Sequence, residues 1–236
     1  MAKLPAGAVT FLFTDIEGST RLWEQHPAAM PAALARHDAL LGRAIEAHGG
    51  RVFKSIGDQL CAVFDSAPDA LAAAHEAQSA LRAEPWDETG SLRVRMALHS
   101  GLAEKRGGDY LGATLNRVAR LLAAGHGGQI LLSQAAASRA RPSLSDGAAL
   151  RDLGTHRLKD LQEPERIFQF VLPGAPVECQ PLRSLEAFAH NLPRQTTRFI
   201  GRWPEMAAVR QLLSSSAILT LTGAGGCGKK IGRAHV

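Results

Sequence analysis

Asp15 and Asp58 are the two carboxylates whose settings in this sequence best suit a bound cation. Asp15 closes the run VTFLFTD, in which Val9, Phe11 and Phe13 alternate with Thr10, Leu12 and Thr14. That is the period-two pattern of a strand, and Leu12 makes both faces partly apolar, as in a central strand covered on each side. Asp15 therefore falls at a strand end, just before Gly18 turns the chain and Ser19 or Thr20 can cap a helix starting near Arg21. Asp58 lies in VFKSIGDQLCAVF, two apolar runs hinged at Gly57-Asp58, which is a hairpin signal. Asp15 by itself reads more readily as a residue that helps cap a helix. If the two strands are neighbours, however, the carboxylates converge and make a cage for two magnesium ions.

Further polar residues recur around this pair. Lys54 stands four residues before Asp58, and Asp109 three before Gly112, in DYLG. Asn116 and Arg120 are four apart on a predicted helix and so share a face. Lys159 lies in HRLKDL. Taken singly, each has a plainer role: Lys54 as a surface lysine of an edge strand, Arg117 and Lys159 as solvent contacts, His99 as a packed, hydrogen-bonded histidine.

Taken together and in this order, the motifs from about residue 4 to residue 172 resemble the catalytic domain of class III nucleotidyl cyclases. The resemblance implies an α+β fold of ferredoxin-like (βαββαβ) type, with helices packed on an antiparallel sheet. It implies that Asp15 and Asp58, with the Ile16 carbonyl, hold two Mg²⁺ or Mn²⁺ ions per site. Lys54 and Asp109 would read the base, Asn116 would orient the ribose, Arg120 would neutralise the reacting phosphate, and Lys159 would meet the terminal phosphates. A lysine donor and an aspartate acceptor suit adenine, so ATP is the implied substrate and cyclic AMP the product, made between two subunits of a homodimer. Gln59 departs from the pattern, standing where the family usually has glycine, and favours a second reading: a nucleotide-binding regulatory module of low activity. Gly107-Gly108-Asp109-Tyr110 resembles the signature hairpin of diguanylate cyclases. No strand is expected close before it, and residues 56–60 already supply the metal hairpin, so that reading is rejected.

These residues need elements to position them. After the first strand the pattern predicts helices over 21–26 and 31–48, the hairpin over 52–64, and an Ala-rich helix over 68–83 capped by Ser66. A strand over 92–101, a polar excursion over 105–109 and a helix over 112–124 come next. A strand over 129–133, a helix over 135–140 and closing strands over 150–161 and 166–172 complete the domain. Residues 173–190 read as a linker, Pro-rich at its start.

Beyond it, GAGGCGK from Gly223 through Gly228 to Lys229 has the form of a phosphate-binding P-loop after a strand-like run. Residues 191–236 thus resemble the start of a signal-transduction ATPase domain. Lys230 replaces the Ser or Thr that would hold magnesium, and IGRAHV over 231–236 reads as one frame of a sequencing adapter rather than as protein sequence.

Composition bounds the rest. Of 236 residues, 45% are hydrophobic and 21% charged, the balance of a globular chain with a sizeable core. No apolar run reaches the length of a membrane span and no signal peptide precedes Val9, so a cytoplasmic chain without membrane attachment is expected. Cys61, Cys179 and Cys227 are odd in number and far apart, which argues against disulfides and zinc. The net charge of +5 is scattered, and with one tyrosine there is no basic stripe interleaved with aromatics, so no nucleic-acid partner is expected.

Overall fold

Alternation along the first strand, β1 (Gly7–Ile16), sets the layers of the fold. Val9, Phe11 and Phe13 join one core with Val63, Ala97 and Leu131, whereas Leu12 and Ile16 join another with Leu60, Ala62 and Phe64. Successive side chains of a strand point to opposite faces, so one central strand feeds both cores. The computed structural model describes residues 5, 7–106, 109–144, 147–171, 180–184, 207–209, 211–212, 214 and 220. Gly223, Gly228 and Lys229 lie outside these residues.

β1 is flanked by antiparallel partners on both sides, β3 (Gln59–Phe64) and β4 (Val94–Arg106). The edge strand β2 (Arg51–Ile56) pairs with β3, and the short β5 (Asp109–Leu111) folds back on the end of β4. Beyond β4 lie β6 (Ile130–Ser133), β8 (Glu165–Val171) and, at the other edge, β7 (Ala149–His156). Among the described pairings, β4 with β6 is parallel and the others are antiparallel. This is the α+β sheet expected.

Among the described residues, five α-helices cover it: α1 (Ser19–Gln25), α2 (Met30–Ala47), α3 (Ala67–Ala83), α4 (Ala113–Ala124) and α5 (Gln134–Ala140). α2, α3 and α5 bury Leu41, Ile45, Leu71, Ala74 and Ala137 on the Leu12 face. α4 alone seats Val118, Leu121 and Leu122 on the Phe11 face. Ser66 caps α3 as expected, its hydroxyl accepting from Asp69 N at 3.3 Å. α1 is not capped by Ser19 or Thr20; Gly18, at φ 73°, is its N-cap and makes no side-chain bond.

Three stretches depart from the sequence expectation. Most of the polar excursion at 105–109 is strand: β4 runs on to Arg106 and pairs with β5, which starts at Asp109, so a strand does precede Gly107 closely. Buried Tyr110 explains why so polar a stretch folds back, since its ring packs against Phe11 and Phe53 and its hydroxyl donates to the Pro5 carbonyl at 2.6 Å. The strand expected over 150–161 ends at His156; Leu158 turns into the α4-side core, and Lys159-Asp160 form a turn with Asp160 at φ 61°. Finally, residues 180–184, expected as linker, pack on the domain through buried Leu182 and Ser184. The chain divides into two compact units, Met1–Phe188 and Ala189–Val236. No helix among the described residues is long and apolar enough to cross a membrane.

Candidate active site

Odd-numbered residues of β1 face α4, and Asp15 is the last of them. Its antiparallel partner is Arg95 of β4, which donates from Nε at 2.9 Å and also from Nη2 to the same carboxylate oxygen. Asp58 reaches the same corner from the β2–β3 hairpin. Ile56 pairs with Gln59 across the two-residue turn, and Gly57 takes a left-handed φ of 61° that a side chain would resist. The turn aims Asp58 back at β1, where its Oδ2 accepts from the Ile16 amide at 2.9 Å. Burial pushes the Asp15 carboxyl up; Arg95 offsets this, and the neighbouring Asp58 charge adds to the rise. Asp15, Ile16 and Asp58 are thus brought together as expected.

Two neighbouring carboxylates offer oxygen donors to a hard cation, which would have to compete with the Arg95 guanidinium for Asp15. Among the described residues no cluster of three or more His, Cys, Asp or Glu side chains could hold a metal. A two-carboxylate set fits Mg²⁺ or Mn²⁺ sites, in which substrate phosphates and waters complete the shell. Gln59 stays in register with Ile56 and donates its amide to Cys61 Sγ at 3.5 Å.

Lys54 and Asp109 also meet. The β2–β3 register slips between Val52 and Lys54, a bulge that sets Lys54 opposite Cys61 while Phe53 packs on Phe11 and Tyr110. Lys54 Nζ lies 2.6 Å from Asp109 Oδ2, and Asp109 Oδ1 accepts from the Tyr110 amide at 2.7 Å. The lysine's hydrogen bond holds the Asp109 carboxyl below its usual range, and the carboxylate in turn raises Lys54. Lys54 lies close along the strands to Asp15, opposite Cys61 and through it Phe13, whereas Asp109 comes from the far end of β4. Asp15 sits at the Val94 end of β4, whereas Asp109 pairs with Arg106 at the other.

α4 spans these two ends. Asn116 is exposed, and Arg120 donates to Asp160 with Nη2 2.7 Å from Oδ2. Lys159, exposed in the same turn, is next to that carboxylate in the chain. Arg117 is not a solvent contact: its guanidinium pairs with buried Glu165 at 2.8 Å, and Glu165 also accepts from Gln134 N at the start of α5. His99 is packed as expected, bonded through Nδ1 to Ser133 Oγ at 2.7 Å, and burial pushes its pKa down to about 4. A cavity of about 610 Å³ beside α3, with Gln78, Gln129 and Gln169 in its wall, includes none of the candidate residues.

Sequence reasoning missed Arg95 and Asp160. Arg95 had one signal, its place among the polar alternates of its strand. Nothing local marked Asp160, whose role depends on the turn that carries it beneath α4.

Known proteins share this framework. Residues 1–172 match the family described as the adenylate and guanylate cyclase catalytic domain. An uncharacterized protein of Mycobacterium tuberculosis is 38% identical over 201 residues, covering 84% of this chain and 68% of its own length. The receptor-type adenylate cyclase GRESAG 4.3 of Trypanosoma brucei brucei is 29% identical over 215 residues, covering 73% of this chain but 18% of its own length. A solved adenylate cyclase structure from Trypanosoma brucei, in its monomeric state, superposes with a TM-score of 0.67 at 29% identity. It covers 78% of this chain and 97% of the solved one. With the family matched over most of its length and the fold shared, the chain belongs to the adenylate and guanylate cyclase catalytic domain family.

Proposed function

We propose that this chain is an adenylate cyclase, converting ATP to 3′,5′-cyclic AMP and pyrophosphate at sites shared by two copies. The observation that carries the base choice is the Lys54–Asp109 pair at 2.6 Å. It sets one donor beside one acceptor, the complement of adenine, whose ring nitrogen accepts and whose amino group donates. Guanine presents the opposite polarity at both positions.

Asp15, Asp58 and the Ile16 carbonyl would hold two Mg²⁺ or Mn²⁺ ions. Bound there, they would lower the pKa of the ribose 3′-hydroxyl and screen the phosphates. Asn116 orients the ribose, and Arg120 stabilises charge developing on the α-phosphate. Lys159 meets the terminal phosphates. The 3′-oxygen forms a bond to the α-phosphorus as the bond to pyrophosphate breaks, and the hydroxyl proton leaves to solvent.

Two features support a homodimer. Asp15 and Asp109 are registered to opposite ends of β4, and a two-fold partner can bring a second copy of each to one site. Exposed Ile56 and Leu111, at 56% and 45%, lie on the strands that carry Lys54 and Asp109, and Leu102, at 75%, lies on β4, which pairs with β5. The test is chromatographic detection of cyclic AMP and pyrophosphate from purified protein given ATP and Mn²⁺, beside a parallel reaction with GTP. Cyclic GMP alone would overturn the base choice. ATP binding without turnover would support the regulatory reading instead. For residues 191–236 we retain the proposal of an opening P-loop ATPase segment.

A further inference from the structure

The stretch from Pro181 to Ser184 touches both walls of the site, yet neither the family motifs nor the catalytic reading assigns it a role. Leu182 is 4% exposed and joins the α4-side core with Val118, Leu121 and Leu158. The Arg183 amide donates to the Ala124 carbonyl at 2.9 Å, satisfying an orphan acceptor at the C-terminal end of α4, the helix of Asn116 and Arg120. Its guanidinium donates from Nη2 to Glu17 Oε1 at 2.7 Å. His126 Nε2 donates to the Pro181 carbonyl at 2.9 Å, and buried Ser184 Oγ lies 3.1 Å from His156 Nδ1.

Glu17 directly follows Ile16 and stands two residues beyond Asp15. Besides Arg183, Arg93 Nε and His126 Nδ1 stand 3.9 and 3.7 Å from its carboxylate. Its amide donates to the Arg93 carbonyl at 2.8 Å, and Arg93 in turn donates to the Gly127 carbonyl at 3.0 Å. Gly127 is required by close approach: a Cβ there would stand 2.5 Å from Arg93 Cβ and 2.8 Å from Glu17 Oε2. The missing side chain lets the β4 entry, the metal loop and the turn after α4 close on one another.

We infer that Arg183 is a positioning residue for the metal loop, clamping Glu17 to the C-terminal end of α4; the consequence for catalysis rests on the cyclase reading. The ion pair is half exposed, with side-chain exposures of 50% and 22%, so its contribution to stability is small. Its effect is on geometry. Glu17 fixes the backbone that presents the Ile16 carbonyl and the Asp15 side chain, and Arg183 ties that backbone to the Arg120 helix. A displacement of the chain at Ser184 is therefore felt at the metal loop and at α4 together.

The test uses the full chain with Arg183→Ala, Arg183→Lys and Glu17→Gln. Three properties are measured: Mn²⁺ affinity from the spin-resonance signal of free Mn²⁺, backbone hydrogen exchange over residues 15–20 and 120–126, and the melting temperature. The outer partners of metal ligands typically alter affinity by about 10–100-fold, so Arg183→Ala is expected to weaken Mn²⁺ binding roughly tenfold and to speed exchange in both segments. Glu17→Gln should reproduce both effects, and Arg183→Lys should recover part of them, keeping the charge without the fork. Melting temperatures should stay close to wild type. Unchanged exchange and Mn²⁺ affinity in both Arg183→Ala and Glu17→Gln would overturn the clamp. So would a loss of global stability large enough to account for faster exchange throughout the chain. Wild-type protein that binds Mn²⁺ but forms no cyclic nucleotide would remove the cyclase reading and leave the clamp to be judged on exchange and affinity. If wild type binds no Mn²⁺, exchange alone decides.

Discussion

Asp160 holds Arg120 in an ion pair of 2.7 Å, so the arginine proposed to meet the reacting phosphate is already engaged by a carboxylate. ATP must displace that partner. Both side chains are partly exposed, at 40% and 58%, so the contact is weak enough to be exchanged. Asp160→Asn removes the competitor, and an exposed pair of about 0.2–1 kcal/mol corresponds to a KM for ATP lowered by up to roughly fivefold. Initial rates of cyclic AMP formation against ATP concentration check this. If both KM and kcat/KM are unchanged, Asp160 does not compete with the nucleotide for Arg120.

Base choice should track the Lys54–Asp109 pair. Lys54→Glu with Asp109→Cys reverses the polarity of both positions. An unserved buried donor or acceptor costs about 1–3 kcal/mol, so the ratio of ATP to GTP turnover should fall roughly tenfold or more. An active double variant that keeps its ATP preference would place the base elsewhere.

Asp58→Asn separates charge from shape. The amide still offers an oxygen to the Ile16 amide, which lies 2.9 Å from Asp58 Oδ2, but no longer a carboxylate to a cation. Mn²⁺ affinity should drop by at least on the order of 100-fold while the melting temperature stays near wild type. Titration of Mn²⁺ by calorimetry, with wild-type affinity retained, would remove Asp58 from the ligand set.

Shared sites make a counting prediction. Asp58→Ala and Arg120→Ala homodimers should each be nearly inactive, since every site carries a lesion. A mixed dimer concentrates both lesions in one site and leaves the other intact. With random pairing, co-expression should restore roughly a quarter of wild-type activity. A mixture no more active than its parts, with dimerisation shown by sedimentation, would count against sites built from two copies.

His99 gives the fold a dependence on acid. Its folded pKa is depressed to about 4 by burial, with Arg117 nearby adding to the effect. Above its unfolded value of about 6.5 both states are neutral and the histidine costs nothing. As pH falls from there toward about 4, only the unfolded chain gains the proton, and stability is lost by up to on the order of 3 kcal/mol. Urea unfolding of wild type and His99→Gln at pH 7 and pH 4.5 measures the difference. Equal losses in the two proteins would show that His99 is not the sensitive group.

The sequence by itself determined the local pattern. Alternation in β1, the Gly57-Asp58 hairpin and the Ser66 cap each depend on a few adjacent residues, and each formed as its chemistry demands. The spacing of Asn116 and Arg120 on one helix was legible for the same reason.

Only the tertiary structure decided the partners. Many arginines and carboxylates in this chain could pair with similar Coulomb energy, and periodicity does not say which strand ends coincide. Sheet order and register set Arg95 against Asp15. A bulge in β2 and the burial of Tyr110 bring Lys54 to Asp109. The turn ending at Asp160, the buried Glu165 beneath Arg117 and the return of Arg183 to Glu17 join residues distant in sequence. Their choice results from how two layers of helices close on one twisted sheet, a geometry that no window of the sequence contains.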